Sequence, residues 1–105
     1  MRMIMRQGDV LLVKTSRRLS AEAKPLPRRG ARLVLAEGEV TGHAHAIEDA
    51  LAELFEERDG QIYLRASATV RLRHEEHGAI EIPAGTWTVI RQREYRPESL
   101  RRVAD

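Results

Sequence analysis

The residues best suited to chemistry in this chain are its four histidines, which fall in two pairs: His43-Ala44-His45 and His74-Glu75-Glu76-His77. A neutral imidazole offers a lone pair to a transition metal, and near neutrality it can also move a proton. Residues two apart in a strand project to the same face. His43 and His45 are therefore expected to stand side by side. The ends of a four-residue turn lie within about 7 Å at Cα, which lets His74 and His77 meet across a turn. Gly78 is then expected to take a left-handed conformation after it. Glu48, Asp49, Glu75 and Glu76 add carboxylates nearby. Imidazole with carboxylate suits a divalent transition metal such as Zn, Fe, Ni, Mn or Cu. The expected metal ligands are His43, His45, His74, His77 and Glu48. The two pairs are far apart in sequence, so this site exists only if the fold joins them.

Without a metal, the same groups read as a general acid–base pair, a His tuned by neighbouring carboxylates. No catalytic residue is assigned. Ser16, Ser20, Ser67 and Ser99 lie in no nucleophile elbow. The chain has no phosphate-binding Gly-rich loop and no dinucleotide fingerprint. It has no Cys, which excludes disulfides, thiolate zinc sites and thiol nucleophiles, and fits a reducing cytoplasm.

The elements that must position these groups read as short strands. Asp9–Lys14 is an apolar run expected to be buried on both faces. Residues 15–30 carry Pro25 and Pro27, which deny central-strand pairing. They are expected to form a surface loop with one helical turn from Ser20. Arg32–Leu35 and His43–Ile47 are strand candidates. Residues 48–58 show helical spacing at Ile47, Leu51, Leu54 and Phe55. Asp59-Gly60 nevertheless signals a hairpin, and strands near 53–57 and 61–66 are preferred over a short helix. Ala68–His74 alternates cleanly, with Val70, Leu72 and His74 on one face. Ile80–Ile82 and Thr86–Arg93 follow, and residues 95–105 read as a C-terminal tail. The expected fold class is all-β: one small barrel or sandwich of seven or eight short strands spanning residues 1–105.

Composition agrees with one soluble domain: 105 residues, 42% hydrophobic and 32% charged, with net charge +2. So short a chain buries a modest core, which a homodimer would help to complete. No run approaches the roughly 18 apolar residues of a membrane span.

Gly38, His43-Ala44-His45 and Glu48, followed by Gly78 and Pro83-Ala84-Gly85, resemble the two motifs of the cupin superfamily over roughly residues 38–90. The chain as a whole also resembles short bacterial proteins. The cupin resemblance implies a small β-barrel with a metal held by His and Glu in its mouth, where a small-molecule ligand would sit beside Tyr63 and Trp87. Thr88 stands where the second motif has its His. The resemblance therefore carries to His43, His45 and Glu48, and His74 or His77 would have to replace the missing ligand.

A second reading is a binding module. Eighteen residues are basic, and all but Lys14 and Lys24 are Arg. Arg91, Arg93, Arg96, Arg101 and Arg102 form a basic stretch that could contact nucleic acid or an acidic partner. With four aromatic rings, platforms for stacking bases are few, and this reading ranks second.

Overall fold

The structure, a computed structural model, describes residues 3–38 and 42–92. Within them the chain is all-β, as expected, with ten strands and no α-helix. They are β1 (Ile4–Gln7), β2 (Val10–Thr15), β3 (Lys24–Leu26), β4 (Leu33–Glu37), β5 (Ala44–Ile47), β6 (Ala52–Glu56), β7 (Ile62–Ala66), β8 (Val70–Arg73), β9 (Ile80–Ile82) and β10 (Gly85–Arg91). One sheet has the order β1-β2-β10-β7-β6-β3 and the other β4-β5-β8-β9. Every pairing is antiparallel. No helix of the described residues is long and apolar enough to cross a membrane.

Ten strands replace the expected seven or eight because β1 and β3 are short and lack β-branched alternation. Pro25 sits in β3, the last strand of its sheet, where a missing N–H can face outward. The helical turn expected at Ser20 is instead a β-turn, closed by the Ala23 N–H donating to Ser20 O at 3.2 Å. Glu57 anchors it by accepting from the Ser20 N–H and Oγ at 2.8 and 2.6 Å. Residues 52–66 form the preferred hairpin. Its tip needs Gly60 at φ +89°, the left-handed position of a three-residue loop.

The core lies between the sheets. Val10, Leu12, Leu54, Leu64, Trp87 and Val89 point in from the larger sheet, and Leu33, Leu35, Ile47, Val70, Leu72 and Ile82 from the smaller. Strand β2 is not buried on both faces. Val10 and Leu12 are buried while Leu11 and Val13 are half-buried on the outer face, because the second sheet covers only one side. The β4–β5 register slips between Val34 and Ala36. This bulge leaves Leu35 unpaired in the ladder, and its carbonyl accepts from Arg91 Nε at 2.9 Å.

Candidate functional site

Strands β5 and β8 pair Ile47 with Leu72 and Ala46 with Arg73. Carried one residue further, that register sets His45 opposite His74, and their ring centroids lie 4.3 Å apart. The alternation that buries Leu72 also turns His74 inward. The bend after β8 returns His77 to within 4.6 Å of His74 and 6.0 Å of His45. His43 completes the group at 5.8 Å from His74. The fold thus brings both pairs together. They line a cavity of about 380 Å³ with Gly8, Asp9, Gly38 and Glu76.

The opposite wall is the β1–β2 hairpin. Gln7 pairs with Val10 across a two-residue loop, Gly8-Asp9. Gly8 has φ +58° and Asp9 has no positive φ, the pattern of a type II′ turn. Gln7 is buried, and its Nε2 donates to Leu72 O and Gly78 O, both at 2.9 Å. Its Oε1 therefore faces His45 Nδ1, at 2.8 Å. An amide oxygen only accepts, so His45 Nδ1 carries the proton. A neutral His45 then has its lone pair on Nε2, which lies 3.1 Å from the Asp9 carboxylate oxygen Oδ1. Two acceptors at that distance repel unless a cation lies between them. Burial holds the His45 pKa below its ordinary value, helped by the neighbouring imidazoles of His74 and His77 and opposed by Asp9.

The rest of the site is fixed by its loops. A Cβ on Gly8 would lie 2.6 Å from His77 Nε2 and 3.2 Å from His45 Cε1, so no other residue fits there unshifted. Glu75 accepts from the Ala44 N–H at 2.8 Å, which ties the His74–His77 bend to β5. That bond holds the Glu75 carboxyl below its usual range. Glu76 Oε1 lies 3.0 Å from His43 Nδ1. The Glu76 N–H donates to His74 Nδ1 at 3.0 Å, which spends that lone pair locally. A ligand role for Nδ1 of His74 would require this bond to break. Among the described residues, no group of three or more His, Asp or Glu side chains is placed so that it could hold a metal ion. Gly78 is not left-handed; its part is the carbonyl that holds Gln7.

Other expected site residues lie elsewhere. Glu48 does not line the histidine cavity; it lines a second depression with Arg32, Arg73, His74 and Glu75. Trp87 is fully buried in the core, with Nε1 donating to Pro83 O at 3.0 Å. Tyr63 is in register with Thr88 on the outer face of the larger sheet, and its hydroxyl accepts from Arg17 at 2.9 Å. Neither ring lines the histidine cavity. Arg91 is half-buried, and its Nε donates to the Leu35 carbonyl. Arg93, Arg96, Arg101 and Arg102 lie outside the described residues, as does the expected tail. Sequence reasoning missed Gln7, Gly8 and Asp9. The available signal was Gly8-Asp9, a hairpin dipeptide between apolar runs.

Residues 6–92 match the family described as a domain of unknown function (DUF8820). The chain belongs to that family. The match begins just before Gln7 and ends just after β10, and so takes in every residue of the histidine cavity. No curated protein and no solved structure matches the chain.

Proposed function

We propose that this member of the DUF8820 family binds a divalent transition metal at the junction of its two sheets, with His45 Nε2 and Asp9 as the first two ligands. The observation that carries the reading is the 3.1 Å approach of His45 Nε2 to Asp9 Oδ1 while Nδ1 is committed to Gln7. Zinc binds His nitrogen at about 2.0–2.1 Å and carboxylate oxygen at about 2.0–2.2 Å. Two such donors on one ion lie roughly 3 Å apart, so the pair is spaced for a shared cation. Gln7 plays the part of the outer residue that fixes a ligating imidazole's tautomer. His43, His77 and Glu76 border the same cavity and are the further donors. Asp9 takes the carboxylate role that the sequence offered to Glu48. The donor set suits Zn, Fe, Ni or Mn. The bound ion would supply Lewis acidity or an activated water to a small molecule entering the cavity.

The test is elemental analysis of protein purified without a His tag, together with melting curves. Added Zn, Ni or Mn should raise the melting temperature of the chelator-treated protein, because a ligand of the folded state stabilises it. His45→Ala and Asp9→Asn should each abolish the rise. A protein that holds no metal and melts unchanged with all three ions would refute the reading.

A further inference from the structure

A second cavity, of about 410 Å³, lies on the outer face of the larger sheet. Thr15, Thr86 and Arg65 form one row across β2, β10 and β7, in register. The chain leaving β2 folds Ser16, Arg17 and Arg18 around that row, and these six residues line the cavity together with Leu19. We propose that this cavity binds a phosphate group.

Its lining offers positive charge and hydrogen-bond donors, with no carboxylate among the residues that form it. Two of the three guanidiniums are held in place. Arg17 donates to the Tyr63 hydroxyl at 2.9 Å and lies over its ring, 5.4 Å from the centroid. Arg65 donates to Glu53 at 3.1 Å and covers the Phe55 ring at 4.5 Å. A guanidinium has five N–H donors, so each keeps donors for a ligand. Arg18 is exposed and has no hydrogen bond or ion pair among the described residues. Thr15 Oγ1 accepts from the Arg17 N–H at 3.0 Å, which leaves its own O–H to donate. Two carboxylates pair with these guanidiniums: Glu53 with Arg65, and Glu57, which also accepts from Ser20, with Arg17 at 4.0 Å.

Phosphate is the complement of such a lining, with several acceptor oxygens and up to two negative charges. The cations converge on one cavity instead of tracking a strand of phosphates. Arg17 and Arg65 also cover the two aromatic rings on which bases would stack. Both features favour a single phosphate over nucleic acid. Histidines contribute nothing to this cavity, so it stands apart from the proposed metal site.

The experiment is a titration of the full-length, isotope-labelled protein with inorganic phosphate and with phenyl phosphate at constant ionic strength. It is read from amide chemical shifts, with chloride as the control. Saturable shifts at residues 15–19 and 86 are expected. Arg18→Gln should weaken binding roughly tenfold or more, the usual loss for a hydrogen bond to a charged group. Thr86→Val should weaken it less, and both variants should melt as the parent does. Tighter binding of phenyl phosphate assigns the cavity to an organic phosphate, and equal binding to the free ion; either supports the proposal. Non-saturating shifts matching those of chloride would overturn it, as would unchanged affinity in both variants. Saturation of the same amides by a single-stranded oligonucleotide alone would overturn it in favour of nucleic acid.

Discussion

His45 and Asp9 meet at 3.1 Å although they belong to opposite sheets, His45 to β5 and Asp9 to the loop joining β1 and β2. The contact bridges the two layers at one end of the sandwich. It leaves a buried imidazole lone pair facing a carboxylate, a pairing that becomes favourable when a cation joins it.

Metal affinity should therefore depend on His45 and Asp9 as a unit. In a double-mutant cycle, His45→Ala and Asp9→Asn should each weaken Zn binding strongly. The double variant should lose less than the sum, because the two residues would share one ion. Calorimetric titration reads the three affinities. Strict additivity would separate Asp9 from the metal.

Gln7→Leu should destabilise the fold by about 1–3 kcal/mol, since it strands the Leu72 and Gly78 carbonyls and the His45 Nδ1–H inside the protein. Urea unfolding measures the cost. The variant should also bind metal more weakly, because nothing then fixes the His45 tautomer.

Gly8→Ala meets two penalties. The positive φ costs an L-residue about 1–2 kcal/mol, and the new methyl runs into His77. Combining it with His77→Ala should recover the steric part and leave the backbone part. Thermal melting of the single and double variants separates them.

Acid should weaken the metal-free protein in two steps. The folded state holds the His45 pKa below its unfolded value of about 6.5. The unfolded chain therefore takes up the proton first, and stability falls as pH drops below about 6.5 towards the folded value. Glu75 is also depressed, from an ordinary 4.5, by its bond from the Ala44 N–H. Its contribution is present above pH 4.5 and is lost as pH falls through the folded value. Melting temperatures in chelator from pH 8 to 3 should show both limbs. His45→Asn should remove the upper limb, and Glu75→Gln should reduce the lower, to which Glu57, depressed by its bonds from Ser20, also contributes.

Trp87→Ala should cost about 3–5 kcal/mol, the usual loss for a large aromatic removed from a packed core. Tyr63→Phe loses only the hydroxyl partner of Arg17 and should cost about 1 kcal/mol. Both should leave metal affinity intact in the protein that remains folded. Reduced affinity at unchanged stability would return these rings to the histidine site.

The sequence by itself determined whatever depends on neighbours along the chain. Alternation at Val70, Leu72 and His74 established a strand and the side it buries, because the pleat has a period of two. Asp59-Gly60 closed a hairpin because few dipeptides tolerate its backbone angles. The same period was enough to put His43 and His45 together, and it also opposes Glu48, which stands an odd number of residues from both. Tertiary structure decided whatever depends on which strands pair. The tight Gly8-Asp9 turn was legible, but only the packing of one sheet on the other brings Asp9 and Gln7 to His45. Trp87 could have pointed either way from β10 until its register with Leu64 buried it. Arg91 belongs to the fold because a bulge in β4, remote in sequence, leaves the Leu35 carbonyl in need of a donor. Pairing between distant strands follows from the burial of the whole chain, which no local pattern encodes.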